Sequence, residues 1–337
     1  MNRSSTAATV LAGDVGGTHV RFALVDVAAD EPVVPGSTMR YRADDFAGFA
    51  ETVQRYLDET GTRPARAVVA AAGPRADGDV RLTNRLWTIA RGELMARFGF
   101  ESVALINDFA AMGLCIPLLR ADDLCDIGAA PRNALDPSRS QSFAIIGPGT
   151  GLGVGALLIR DGRMIALETE GGHTSFAPGN EEEVEILRRL AARFGRVSNE
   201  RVLCGSGLVN LHGVLCEMAG TPAQILTPEE ITQRAHSDPM CRRAIERFRE
   251  LLGAVAGDFV LSFGAWDGVY ITGGLAPHLA SWLREGGFRR RFEDKGRFSE
   301  ALARVPTSVV LHRDPGLLGA VAFALVEAGS ASARFSR

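Results

Sequence analysis

The sequence predicts an α/β protein made of two related halves, on the evidence of a repeated pattern and of the chain length. Two glycine-rich turns, at residues 14–18 and 147–153, each lie between apolar runs typical of β-strands. The chain has 337 residues, of which 46% are hydrophobic, so it exceeds what one core usually fills. We therefore expect two domains, each opening with a strand, a tight turn and a second strand.

Hydrophobic spacing predicts the remaining elements of the first half. They are, in chain order, strands at 9–12, 20–25 and around 37–41, a helix from about 45 to 59, a strand at 67–72, a short helix near 92–98 and a strand at 103–106. Pro117 and the polar, proline-rich stretch 120–141 mark the expected boundary between the halves.

The second half repeats the theme. Its predicted elements are strands at 143–146 and 154–159, a hairpin turned at Asp161-Gly162, a helix at 181–194 capped by Asn180, a long helical region at 240–263, a strand at 269–272 and a closing helix at 317–327. Strands and helices mixed in this way in two matching halves indicate an α/β duplication.

Composition and charge exclude several classes of partner. A formal net charge of -3, with no block of like charges, gives no reason to expect nucleic acid or a membrane. The apolar stretch 316–326 is too short to span a bilayer, and residues 1–10 lack a signal pattern, so we expect a cytoplasmic protein. The 5 cysteines form no metal-ligand spacing, and their odd number favours reduced thiols.

Lys295 is the only lysine in the chain and lies far from both glycine turns in the sequence. The chain has neither the G-x-x-x-x-G-K-[ST] motif of P-loop enzymes nor the strand lysine of protein kinases. Glycines let backbone N–H groups approach an anion closely, and a threonine hydroxyl adds a donor. Two such turns facing each other predict a nucleotide held by backbone donors and a metal.

Polar residues at the ends of predicted elements suggest the chemistry. Asn107-Asp108 follows an apolar strand and opens a predicted helix, and an acid at such a place can act as a general base. By itself, however, the dipeptide favours a simpler interpretation, that it caps the helix. Taken singly, Glu170, His173 and Glu200 are equally ordinary residues of loops and first turns. Together the five supply the donors and acceptors that a polyhydroxy ligand needs.

These motifs identify a resemblance that covers nearly the whole chain. The chain resembles the bacterial glucokinases, which are ATP-dependent hexokinases within the superfamily of sugar kinases, actin and heat-shock ATPases. The matching blocks, in family order, are Gly13 to Thr18, Thr83-Asn84 with Trp87, Asn107-Asp108-Phe109, Gly147 to Gly153, Glu170 to His173 with Phe176-Ala177-Pro178, Glu200 to Leu203 with Gly205, and Thr272-Gly273-Gly274.

The resemblance implies a fold and a reaction. The fold would be two duplicated actin-like ATPase (ribonuclease H-like) domains around a central cleft, with residues 1–117 and 314–337 in the small domain and 118–313 in the large one. The reaction would transfer the γ-phosphoryl group of ATP to the 6-hydroxyl of glucose with Mg²⁺, in a homodimer. The absence of a cysteine-rich loop near His173 implies no structural zinc, unlike the related ROK kinases.

The resemblance also implies a role for each site residue. Asp108 would be the general base, and Asn107, Glu170, His173 and Glu200 would hold the ring hydroxyls together with it. Asp14 would organise Mg²⁺ through water. The nucleotide would be bound by Gly13, Asp14, Val15, Gly16, Gly17 and Thr18 of the first turn, by Gly149, Thr150 and Gly151 of the second, and by Gly273 and Gly274 beside the adenosine.

Three departures from the family pattern bear on sugar preference and nucleotide affinity: His19 where asparagine is common, Thr169 for glycine, and Ser206 for proline. A kinase of another hexose or of an amino sugar therefore stays an alternative.

Three other classes of protein are less consistent with the sequence. Residues 151–156 fit the loose dinucleotide-binding fingerprint, but a strand rather than a helix follows them. A sugar-responsive regulator would need a DNA-binding module, and the chain has no basic patch. An actin-like filament ATPase has no use for Glu170, His173 and Glu200.

Overall fold

The first half of the chain forms a five-stranded mixed sheet with a small three-stranded sheet beside it. The computed structural model describes residues 9–76, 78–83 and 85–329. The strands are β1 (Thr9–Val15), β2 (His19–Asp26), β3 (Met39–Arg42), β4 (Arg66–Ala71), β5 (Arg75–Ala76), β6 (Asp79–Arg81), β7 (Thr88–Ile89) and β8 (Ser102–Asn107). The helices are α1 (Phe49–Thr60), α2 (Arg91–Phe98) and α3 (Asp108–Leu114).

The second half forms a six-stranded mixed sheet flanked by helices. Its strands are β9 (Leu124–Ile127), β10 (Gln141–Pro148), β11 (Leu152–Arg160), β12 (Arg163–Thr169), β13 (Gly268–Ile271) and β14 (Thr307–Val310). Its helices are α4 (Glu181–Phe194), α5 (Gly205–Met218), α6 (Pro228–Arg234), α7 (Pro239–Phe263), α8 (Ala276–Leu283), α9 (Gly287–Glu293) and α10 (Ser299–Ala303), followed by α11 (Pro315–Glu327).

The two larger sheets share one pattern of strand pairing. Their orders are β3-β2-β1-β4-β8 and β12-β11-β10-β13-β14, with β9 added beyond β14. In each sheet the first three strands of this order pair antiparallel with one another. The third strand then pairs in parallel with the fourth, and the fourth in parallel with the fifth. The predicted α/β class is confirmed, and each glycine turn joins the two strands of an antiparallel hairpin.

Most predicted elements lie within a few residues of their observed positions. The predicted helix 181–194 coincides with α4, and Asn180 caps it by accepting a hydrogen bond from the N–H of Glu183. Asp161 of the β11–β12 turn has φ 51°, the left-handed conformation that such turns require. Helix α1 begins at Phe49 rather than near 45, because residues 43–45 form a separate 3₁₀ turn. The stretch 120–141 contains β9, which the sequence analysis missed.

Helix α11 returns to the first half and packs against α3, β1 and β4. A Cβ atom at Gly319 would lie 1.9 Å from the carbonyl oxygen of Ala111, so only a glycine allows the two helices to approach this closely. One buried cluster contains side chains of α3 and α11 together with Ile145 and Leu157 of the second sheet. The start of α3 is therefore held between the two main sheets.

Two further observations concern the predictions made from composition. All 5 cysteines are free thiols, and only Cys125 is not fully buried. Among the described residues, no helix combines the length and the apolar character needed to cross a membrane.

Candidate functional site

Asn107 and Asp108 lie where β8 ends and α3 begins. Oδ1 of Asn107 accepts hydrogen bonds from the N–H groups of Phe109, at 2.8 Å, and Ala110, at 3.0 Å. Asn107 is therefore the helix cap, and Asp108 occupies the first helical position. The dipeptide therefore caps the helix, as its sequence favours, but Asn107 makes the cap and satisfies two of the free N–H groups of the first turn.

The environment of Asp108 raises the pKa of its carboxyl group. Burial is the largest cause, and the negative charges of Glu170 and Glu168 add to it, while a hydrogen bond from the N–H of Phe109 to Oδ1, at 2.9 Å, opposes it. A carboxylate whose pKa is raised toward neutrality accepts a proton more readily. The charge of Glu170 therefore acts on Asp108, another predicted site residue.

Glu170, His173 and Glu200 form one cluster. Nε2 of His173 lies 3.7 Å from Oε2 of Glu170, and Nδ1 lies 3.9 Å from Oε1 of Glu200. Both distances exceed those of a hydrogen bond, so these contacts leave the polar atoms able to bind other groups. The side chains of Glu170, His173 and Glu200 are 90%, 57% and 31% exposed, so solvent reaches all three.

Small residues and one hydroxyl hold this cluster beside the second glycine turn. Oε2 of Glu200 accepts the N–H of Leu152 at 2.9 Å, and a Cβ atom at Gly151 would lie 2.5 Å from that same oxygen. Thr169, one of the three departures noted in the sequence, donates to the carbonyl of Val154 at 2.7 Å and accepts the N–H of Gly171 at 3.1 Å. The residue therefore ties the Glu170 loop to β11.

Asp14 belongs to a chain of charges that the sequence analysis missed. Its Oδ2 lies 2.9 Å from NH1 of Arg21, whose Nε lies 2.7 Å from Oδ1 of Asp314. Burial raises the pKa of Asp14 to about 6, which Arg21 partly opposes, and the charges of Asp108 and Asp314 raise it further. Asp14 and Arg21 are directly opposite in the β1–β2 register, so the predicted hairpin contained the signal for this pair.

The first glycine turn divides into buried and exposed residues. Gly13 and Val15 are buried within β1, where a Cβ atom at Gly13 would lie 3.1 Å from the ring of Phe22. Gly16 is half-buried, and Gly17 and Thr18 are exposed. Arg85 donates to the carbonyl of Gly17 at 2.7 Å and lies over the ring of Trp87. Asn84, which the family resemblance includes, lies outside the described residues.

The second glycine turn opens onto a cavity of about 650 Å³. Gly149, Thr150 and Gly274, three of the residues that the sequence analysis assigns to the nucleotide, line this cavity. Gly151 and Gly273, which are assigned to the nucleotide as well, do not: a Cβ atom at Gly151 would lie 2.5 Å from Glu200, and Gly273 has φ 88°. The cavity's other residues are Gly205, Ser206, Pro228, Glu229, Thr232, Gln233, Leu275 and His278. Of these the sequence analysis named only Gly205, in a family motif, and Ser206, as a departure from the family pattern. Four of the cavity residues lie on α6, and the sequence signals the start of this helix through the capping box of Thr227 and Glu230.

Comparisons with known proteins agree with the motifs. The glucokinase family model matches residues 11–327. A glucokinase of Stenotrophomonas maltophilia strain R551-3 is 48% identical over 323 residues, covering 95% of this chain and 96% of the relative. The crystal structure of a glucokinase from an Antarctic psychrotroph aligns with a TM-score of 0.85 at 32% identity, covering 94% of this chain and 98% of the other.

A more distant structure shares the fold. A glucokinase of Balamuthia mandrillaris, crystallised in complex with glucose, aligns with a TM-score of 0.79 at 20% identity, covering 96% of this chain and 95% of the other. The family match extends over almost the whole chain, and the close relative is matched over nearly its full length. The resemblance found in the motifs is confirmed: the chain belongs to the glucokinase family.

Proposed function

We propose that this chain transfers the γ-phosphoryl group of ATP to the 6-hydroxyl of glucose, giving glucose 6-phosphate and ADP, with Asp108 as the general base. The position of Asp108 carries the proposal. Its carboxylate is half-buried at the start of α3, where the charge of Glu170 acts on it and its own charge acts on Asp14 of the first glycine turn. We infer that it lies between the residues proposed for the sugar and those proposed for the phosphates.

In this mechanism Asp108 accepts the proton of the 6-hydroxyl as the hydroxyl oxygen forms its bond to the γ-phosphorus and the bond to ADP breaks. Phosphoryl transfer depends chiefly on positioning and on stabilising charge, so one carboxylate, backbone donors and a metal suffice. A base contributes about 10²–10⁴-fold to such a step. This accounts for a kinase site whose predicted turns contain no lysine.

Sugar binding is assigned to the polar cluster next to Asp108. The Oδ1 atom of Asn107 is engaged with the helix, so its amide N–H groups are the part that suits a sugar hydroxyl. Glu170 and Glu200 supply acceptors, and His173 supplies one donor and one acceptor when neutral. Because these side chains are partly exposed, closure of the two halves over the sugar would complete the site and exclude water.

The two turns and the cavity suit a nucleotide with its magnesium ion. Cβ atoms at Gly16 and Gly149 would meet no protein atom closer than 3.5 Å, and one at Gly274 would meet none within 4 Å, so a phosphate or ribose can approach the backbone there. No group of three His, Cys, Asp or Glu side chains in the described ranges could hold a metal alone. The residues fit Mg²⁺ that arrives on the phosphates, with Asp14 holding it through water, and the ion would neutralise the developing charge.

The finer architecture is part of the same proposal. We infer two duplicated actin-like domains around a cleft, comprising residues 1–117 with 314–337 and residues 118–313. The matching strand orders support the duplication, and the packing of α11 on β1 and β4 supports the return of the chain to the first domain. A homodimer acting in the cytoplasm is the expected form of the enzyme.

The proposed activity is tested by measuring ADP release over a panel of hexoses and amino sugars, with and without Mg²⁺. We expect glucose to be the best acceptor and ATP the best donor. Efficient phosphorylation of another sugar with glucose left unmodified would contradict the assignment.

Asp108→Asn tests the role of the base. We expect kcat to fall at least about 10²-fold while glucose still binds, because the base acts in the transition state. Asp238→Asn is the matched control, since Asp238 caps α7 through the N–H groups of Met240 and Cys241 and its loss of charge should leave kcat unchanged. Parental turnover in Asp108→Asn would show that the carboxylate is not the base.

A further inference from the structure

The ring of Phe109, the residue after Asp108, lies in a slot lined by glycines of β10 and β11. A Cβ atom at Gly153 would lie 2.2 Å from the ring, and one at Gly147 would lie 2.5 Å from it. Neither distance is possible in a folded protein, so the ring enters only because both positions lack a side chain. We call Gly147 and Gly153 the glycine slot.

The glycine slot borders the second phosphate turn on both sides, since residues 149–151 lie between its two members in the sequence. The sequence analysis assigned Gly149 and Gly151 of this motif to the phosphates and gave Gly147 and Gly153 no role of their own. The structure divides them by function: Gly149 stands clear of other side chains, whereas Gly147 and Gly153 make room for an aromatic ring from the first half of the chain.

Phe109 is also bonded to the proposed base through its backbone. Its N–H donates to Oδ1 of Asp108 at 2.9 Å and to Oδ1 of the capping Asn107 at 2.8 Å. One residue therefore links the carboxylate, by its amide, to the second phosphate turn, by its ring. Gly113 lies one helical turn after Phe109 on α3. A Cβ atom at Gly113 would lie 3.5 Å from Ile145, which is an ordinary van der Waals contact with the second sheet.

We propose that Phe109 is a positioning residue for the reaction. With its ring in the glycine slot, it holds the Asp108 carboxylate at a fixed place relative to the turn that binds the phosphates. When the two halves have closed over the sugar, the ring in its slot thereby sets the position of the proton acceptor relative to the phosphoryl group. Because a displacement of about 1 Å in such a geometry costs about 10²-fold in rate, the packing of this ring governs turnover. This inference rests on the proposed function of Asp108.

The test is a pair of complementary substitutions and their combination. Phe109→Ala empties the slot and Gly153→Ala obstructs the ring, and we expect each to lower kcat by about 10-fold or more, with the KM for glucose changed less than about 3-fold. The double variant places a methyl group where the ring was and should turn over faster than Gly153→Ala. Gly113→Ala, on the same face of α3, is the control and should keep the parental kcat.

Thermal unfolding and glucose binding measured directly on each variant separate positioning from folding. A fall in melting temperature with parental kcat for Phe109→Ala would overturn the inference, as would a double variant no faster than Gly153→Ala. Phe109→Leu, which keeps an apolar side chain, should lower kcat even if Gly153→Ala fails to fold, and parental turnover would again refute the role. If Asp108→Asn keeps its activity, the proposed role of Asp108 as the base is itself wrong. That result is distinct from a failure of the inference about Phe109, in which Asp108→Asn loses activity and the Phe109 variants keep theirs.

Discussion

Replacing Asp14 by asparagine should stabilise the protein in the absence of ligands, although Asp14 is assigned to the metal and phosphates. The carboxylate is buried, and its pKa is raised from 3.8 to about 6, chiefly because burial disfavours the charged form. Asparagine keeps the shape of the side chain and removes the charge. Arg21 would not be left unpaired, because its Nε lies 2.7 Å from Oδ1 of Asp314.

The size and sign of the effect follow from the difference in pKa between the folded and unfolded states. The folded protein keeps a proton on Asp14 up to about pH 6, whereas the unfolded chain releases it near pH 3.8. The carboxyl group therefore favours folding fully below pH 3.8, and this contribution is lost as the pH rises through 6. At about 1.4 kcal/mol per pKa unit, the ionised group costs about 3 kcal/mol at pH 8 and about half of that at pH 5.

Urea unfolding of the parent and Asp14→Asn at pH 5 and pH 8 measures this directly. The gain in free energy of unfolding should be larger at pH 8 by about 1.5 kcal/mol. Asp238→Asn is the control, because hydrogen bonds from backbone N–H groups lower the pKa of Asp238 and the sign of its pH dependence is reversed. A gain for Asp14→Asn that is the same at both pH values would refute the reasoning.

Three further predictions concern the sugar residues and the closing helix. Glu170→Gln and His173→Ala should raise the KM for glucose far more than the KM for ATP. Stability without ligands should change little, since both side chains are exposed. The His173→Ala variant should also discriminate less between glucose and its deoxy analogues, and equal losses of activity toward every deoxy sugar would contradict this. Deleting the residues after Pro315 should destabilise the first half, because α11 packs on β1 and β4; a soluble, fully active truncation would disprove it. Glucose should draw the two halves together about Pro117, which small-angle scattering would detect as compaction.

The local pattern of the sequence was enough to locate most of the regular elements. Period-two and helical spacing predicted the hairpins, α4 and the closing helix, because alternation and capping are properties of neighbouring residues. The sequence analysis missed the helices α5, α6 and α8 to α10. The strands that it missed, such as β9 and the three short strands β5 to β7, have only 2 to 4 residues. Such segments depend on a partner strand that is distant in the sequence, so their own residues carry little signal.

The same division holds for the site. Sequence motifs alone identified the family and named Asp108, Glu170, His173 and Glu200. Only the tertiary structure showed that Asn107 is the helix cap, that Arg21 and Asp314 flank Asp14, and that two glycines of the phosphate motif receive the ring of Phe109. A sequence records which side chains are present, whereas the direction of a pKa and the reason for a glycine depend on which atoms the fold brings within a few ångströms of each other.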